Sequence, residues 1–121
     1  MTITMEECIG ALQGFNKIAK SKLPFKQTYM VAKNIKALEA IVGPFEQQRN
    51  EFVEELRKAS YDEDGKQVVD DAAAEKFKQD VKNLLAKKMK VEIENITLSE
   101  EESSDLTAEE IKGCIDYIVV E

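Results

Sequence analysis

The sequence has no histidine and no tryptophan. Without imidazole the chain lacks the side chain most used as a general base near neutral pH and as a metal ligand. Aromatic residues make up only 7% of the chain, so Leu, Ile, Val and Ala must fill the interior. The two cysteines, Cys8 and Cys114, lie far apart and form no zinc spacing. A single disulfide is open to them, but they read more naturally as reduced thiols packed on apolar helix faces. No dinucleotide-binding glycine motif or P-loop occurs, and the Gly65-Lys66-Gln67 run lacks both the upstream glycine and the following hydroxyl. Glu6 and Glu7 interrupt any signal-like apolar stretch. No apolar run approaches the roughly 18 residues of a membrane span. The expectation is a cytoplasmic protein that is not an enzyme, holds no cofactor or metal and does not enter a membrane.

One loop comes near a calcium-binding pattern. With Gly65 at the sixth position, Ser60, Asp62, Asp64 and Asp71 fall at the first, third, fifth and twelfth. Gln67 stands where an apolar residue is needed, and Asp71 replaces the longer bidentate Glu. An exposed turn is the better reading.

Charge is abundant but uneven. Net charge is -7, yet six lysines and no acid lie between Lys17 and Lys36, whereas ten acids and one lysine lie between Val91 and Glu121. Such a chain can neutralise itself, a second copy or a partner. Lys22, Lys26, Tyr29 and Lys33 could hold a small anionic nucleotide by cation and ring. Glu100, Glu101, Glu102 and Asp105 could form an acidic surface for a host defence or nucleic-acid enzyme. A solvated linker over residues 99–106 is the plainer reading of that block. The overall acidity, with a pI near 4.8, argues against general nucleic-acid binding.

Periodicity supplies the architecture. Thr4 and Glu7 form a capping box before an apolar face of Cys8, Ala11, Leu12, Phe15 and Ile18, predicting a helix over 5–21. From Val31 the positions Ile35, Leu38, Val42, Phe45, Arg49, Phe52 and Leu56 alternate in steps of four and three, and only Arg49 is not apolar. The phase is unbroken across Gly43-Pro44, a pair that should break a helix at a cost of about 3 kcal/mol. Constant phase favours one bent helix over 25–59; the alternative ends a helix at Gly43 and opens another at Pro44. Residues 66–69 suggest a short strand. Asp70 or Asp71 caps a third helix with Ala74, Phe77, Val81, Leu84 and Leu85 on one face. Residues 91–98 read as a strand with a bulge at Glu94-Asn95. Thr107 and Glu110 form a second capping box for a last helix. One mostly helical α+β domain over 1–121 follows, with a long bent central helix, three further helices and a small antiparallel sheet.

The run Leu23-Pro24, Lys26, Tyr29, Ala32-Lys33-Asn34 and Leu38-Glu39 leads into a charged helix containing FEQQRNEF, a DEDG turn and a late VEIENITL strand. Over most of its length this pattern resembles small uncharacterised proteins encoded by phages and prophages of Gram-positive bacteria. The resemblance implies a viral accessory protein in the cytoplasm of the bacterial host, with no catalytic residue to carry over. Gly43-Pro44 is foreign to the pattern. The long seam, too extensive for a small chain to hide, predicts a homo-oligomer assembled through Val42, Phe45, Phe52 and Leu56, with a host or phage protein as a further partner.

Overall fold

A computed structural model describes all residues, Met1–Glu121. Strand β1, Thr2–Thr4, runs directly into helix α1, Met5–Ile18. The capping box forms as its sequence predicts: the Glu7 N–H donates to Thr4 Oγ1 at 3.1 Å, and the Thr4 N–H donates to Glu7 Oε1 at 3.1 Å. The Thr4 N–H and the Thr4 hydroxyl both donate to the Glu7 carboxylate and hold its pKa below the usual value. Helix α1 ends at Ile18, earlier than expected, because 19–21 continue as a turn.

Helix α2 is continuous from Phe25 to Ala59, with Pro44 inside it. Gly43, Pro44 and Ala40 are all exposed. The carbonyl freed by the missing proline N–H can therefore meet water, and the apolar seam crosses the break without a change of phase. Val31, Leu38, Val42 and Phe45 are buried on that seam. The chain then turns back. Asp62 organises the turn, its Oδ1 accepting from the Asp64 and Lys66 N–H groups at 3.0 and 2.8 Å. Gly65 takes a φ of +78°, a conformation that favours glycine. The expected strand at 66–69 reduces to one bridge between Tyr61 and Gln67. Helix α3, Asp71–Ala86, is capped by Asp70, whose side chain accepts from the Ala73 N–H at 2.9 Å.

The expected single sheet is two separate pairs. β2, Lys88–Lys90, pairs antiparallel with β1, in register Thr2 to Lys90 and Thr4 to Lys88. β3, Ile96–Leu98, pairs parallel with β4, Ile118–Val120. Residues 91–95 join no strand, for a reason given below. Between β3 and β4 lie two single-turn helices, α4 (Glu100–Ser103) and α5 (Ala108–Ile111), and a 3-10 segment, Lys112–Tyr117. Residues 100–103 of the expected linker are thus helical, behind a further capping box of Ser99 and Glu102.

The core gathers Met5, Cys8, Ala11, Phe15 and Ile18 of α1, the four seam residues of α2, and Val91, Ile96, Leu98 and Cys114. The 3-10 segment lies close against α1. A Cβ built on Gly113 would stand 2.2 Å from the Gly10 carbonyl oxygen, and one on Gly14 would stand 2.6 Å from the Cys114 amide nitrogen. Only glycine permits that approach. Both thiols are free and fully buried. Burial pushes the Cys114 pKa up to about 11 and raises that of Cys8 as well. A thiol reagent added to the native protein at pH 8 should therefore label neither cysteine at more than a small fraction of the rate seen in denaturant, read as thiol release over time. Rapid native labelling at both sites would contradict this packing.

Candidate interaction surfaces

Helix α2 holds the 91–98 segment by side chains. Asn34 is buried on α2 just before the seam residue Ile35; its Nδ2 donates to the Glu94 carbonyl at 2.8 Å and its Oδ1 accepts from the Glu94 N–H at 2.9 Å. Two turns earlier Gln27 donates from Nε2 to the Thr97 carbonyl at 3.1 Å. Seven helical residues rise about 10.5 Å, and three extended residues advance about 10 Å. The helix and the extended chain therefore match in length. Asn34 satisfies both backbone groups of Glu94 in place of a strand neighbour, so Glu94 needs no strand partner, while Val91 exchanges backbone bonds with Met1. Asn34 stands beside the seam and not on it, so the heptad pattern carries no signal for this role.

The lysine segment lies along the solvent face of α2 and the turn before it. Lys22, Phe25, Tyr29, Lys33 and Lys36 recur at helical spacing, and all are exposed. Phe25 is 82% exposed and stacks on Tyr29, with ring centroids 6.2 Å apart. Lys33 sits 5.9 Å over the Tyr29 ring. It also pairs with Glu94 at 2.9 Å, and this hydrogen bond and charge raise its pKa. Lys17 pairs with Glu109 at 3.2 Å, and Ser21 donates to Glu110 at 3.1 Å. The chain thus neutralises part of its own charge contrast. Lys33 is already engaged, whereas Lys22 and Lys26 are in none of the ion pairs.

Of the acidic block, Glu102 is turned inward on its cap, with Oε1 accepting from the Ser99 N–H at 2.8 Å. Glu100, Glu101 and Asp105 are exposed and join no ion pair. Lys26 and Glu102 line one groove, together with Gln27, Met30, Thr97 and Ser99. Lys26 is therefore a neighbour of the capped Glu102, at the edge of the acidic block.

The residues expected to bind a second copy divide in two. Val42 and Phe45 are only 4% and 6% exposed and belong to the core of the single chain. They are consumed internally because α1 covers this half of the seam. Phe52 and Leu56 lie beyond it. No residue of α2 after Phe45 is buried, and none of α3 is. The second half of α2 and α3 form a two-helix arm in which Phe52, Leu56, Ala59, Ala73 and Phe77 line an open groove. On its other flank Phe77, Val81, Leu85 and Ala86 line a second groove beside Glu6, Lys78 and Lys82. Salt bridges on the arm, such as Arg57 to Glu54 at 3.0 Å and Lys76 to Glu55 at 3.8 Å, are exposed and leave the apolar strip uncovered.

No group of acidic or cysteine side chains is placed to hold a metal ion, and no helix is long and apolar enough to cross a membrane. No family model, curated protein or solved structure matches the chain.

Proposed function

We propose that this chain is a non-enzymatic accessory protein of the phage type that works through protein contact, and that its two-helix arm associates with the arm of a second copy. The observation that carries the reading is the half-open seam. Apolar residues continue through Phe52, Leu56, Phe77 and Val81, yet none of them is buried. Two helices alone cannot enclose such a strip, whereas two pairs can close it as a four-helix arrangement. The charged outer face of the arm suits solvent on the remaining sides.

Sedimentation equilibrium from low micromolar to near-millimolar protein tests this. The expected result is a concentration-dependent rise above the mass of one chain that persists at about 500 mM salt, where exposed charges are screened. The double variant Leu56→Gln, Phe77→Gln, with its helix content verified by circular dichroism, should shift the midpoint at least about tenfold higher, since each loss of an apolar contact weakens a small interface by 1 kcal/mol or more, roughly. A native chain that stays a single copy throughout overturns the proposal.

A further inference from the structure

We infer that the lysine–aromatic face of α2 and the adjacent acidic block form a second, self-complementary contact, in which each copy's lysines meet the other copy's acids. This deepens the self-association reading but rests on different residues from the arm.

Lys22 and Lys26 are exposed and enter no ion pair, and neither do Glu100, Glu101 and Asp105. The first turn of α2 contains no acidic residue to offset its lysines. Intramolecular pairs take Lys17 and Lys33 to Glu109 and Glu94, and the lysines between them, Lys20, Lys22 and Lys26, are left unpaired.

Position matters next. The groove lined by Lys26, Glu102 and Glu121 brings the start of the basic helix α2 to the single-turn helix that carries Glu100 and Glu101. Adjacent patches of opposite sign are what a two-fold contact requires: rotating one copy by half a turn sets basic on acidic twice over. A partner of one sign would satisfy only one of the patches. Charge alone steers an encounter more than it holds one. Phe25 and Tyr29, 82% and 56% exposed, supply the apolar anchor at the middle of the basic patch. Large exposed aromatics ringed by polar groups have the character of interface anchors.

The test is a charge exchange in the full-length chain. Lys22→Glu with Lys26→Glu should weaken a salt-sensitive association at least about tenfold, because like charges then face each other. Glu100→Lys with Glu101→Lys should do the same. Equimolar mixing of the two variants should restore a heterodimer, since one then presents two acidic patches and the other two basic ones, and the four substitutions in one chain should restore the homodimer. Sedimentation at about 50 mM and about 500 mM salt separates this contact from the arm, since screening acts on exposed charges and leaves apolar burial intact. Retention of native association by both exchange variants overturns the inference, as does loss in each without restoration in the combined chain. Loss on Leu56→Gln, Phe77→Gln alone, with no effect of salt, supports the arm and removes this second contact.

Discussion

Replacing Gly113 by alanine is expected to cause the largest loss of stability of any single methyl addition in this protein. The added carbon would lie 2.2 Å from a backbone oxygen, that of Gly10. No side-chain rotation relieves a clash with backbone, so the 3-10 segment must lift away from α1. Cys114 and Tyr117 would move with it, and Tyr117 stacks near Phe15 with ring centroids 6.0 Å apart. Overpacking commonly costs 1–3 kcal/mol, and a backbone collision belongs at or above the top of that range, about 3 kcal/mol. Gly14→Ala should behave similarly, meeting the Cys114 amide nitrogen at 2.6 Å. Gly10→Ala is the internal control. Its Cβ would meet nothing within 4 Å, so the better helix propensity of alanine should leave stability unchanged or raise it by up to about 1 kcal/mol. Urea unfolding of the three variants decides the matter; equal effects at positions 10 and 113 would contradict the close contact.

Replacing Asn34 is expected to have the next largest effect. Asn34→Ala leaves the Glu94 N–H and carbonyl without their partners, at 2.9 and 2.8 Å in the native protein. Glu94 itself is exposed, so water recovers part of the loss; at about 0.5–1.5 kcal/mol per hydrogen bond the pair predicts a loss of roughly 1–3 kcal/mol. Asn34→Asp keeps the size and the acceptor but loses the donor, and places a charge against a carbonyl oxygen. It should be at least as destabilising at neutral pH. Hydrogen exchange at the Glu94 amide gives a local readout: strong protection in the native chain, lost in Asn34→Ala and retained in Asn34→Asp, which keeps the accepting oxygen. Unchanged protection in Asn34→Ala would mean the amide is held some other way.

What the sequence made legible was local and periodic. The limits of α2 follow from a seam repeated over eight positions, and that repetition outweighs the break at Gly43-Pro44. Capping boxes at Thr4 and Thr107 follow from side-chain spacing alone. The same signal at Ser99 and Glu102 is obscured by the run of acids around it, which looks like solvated linker. Strand partners were not legible. Three-residue strands carry no register information, and the parallel match of Ile96 to Ile118 depends on how the intervening turns pack. The contact among Gly10, Gly14 and Gly113 joins residues about a hundred positions apart and has no local trace. The seam itself was legible, but its division was not: Val42 and Phe45 are covered by the chain's own first helix, and Phe52 and Leu56 are left half covered by α3. Which half faces a partner depends on the length of α1, and that is a property of the assembled fold.

Hydrogen exchange followed as a function of protein concentration tests the division of the seam most directly. Residues 46–59 and 71–86 should gain protection as concentration rises, while residues 5–18, already packed inside a single chain, should not change. Protection of the arm that is the same at every concentration, or a gain confined to other segments, would contradict the account.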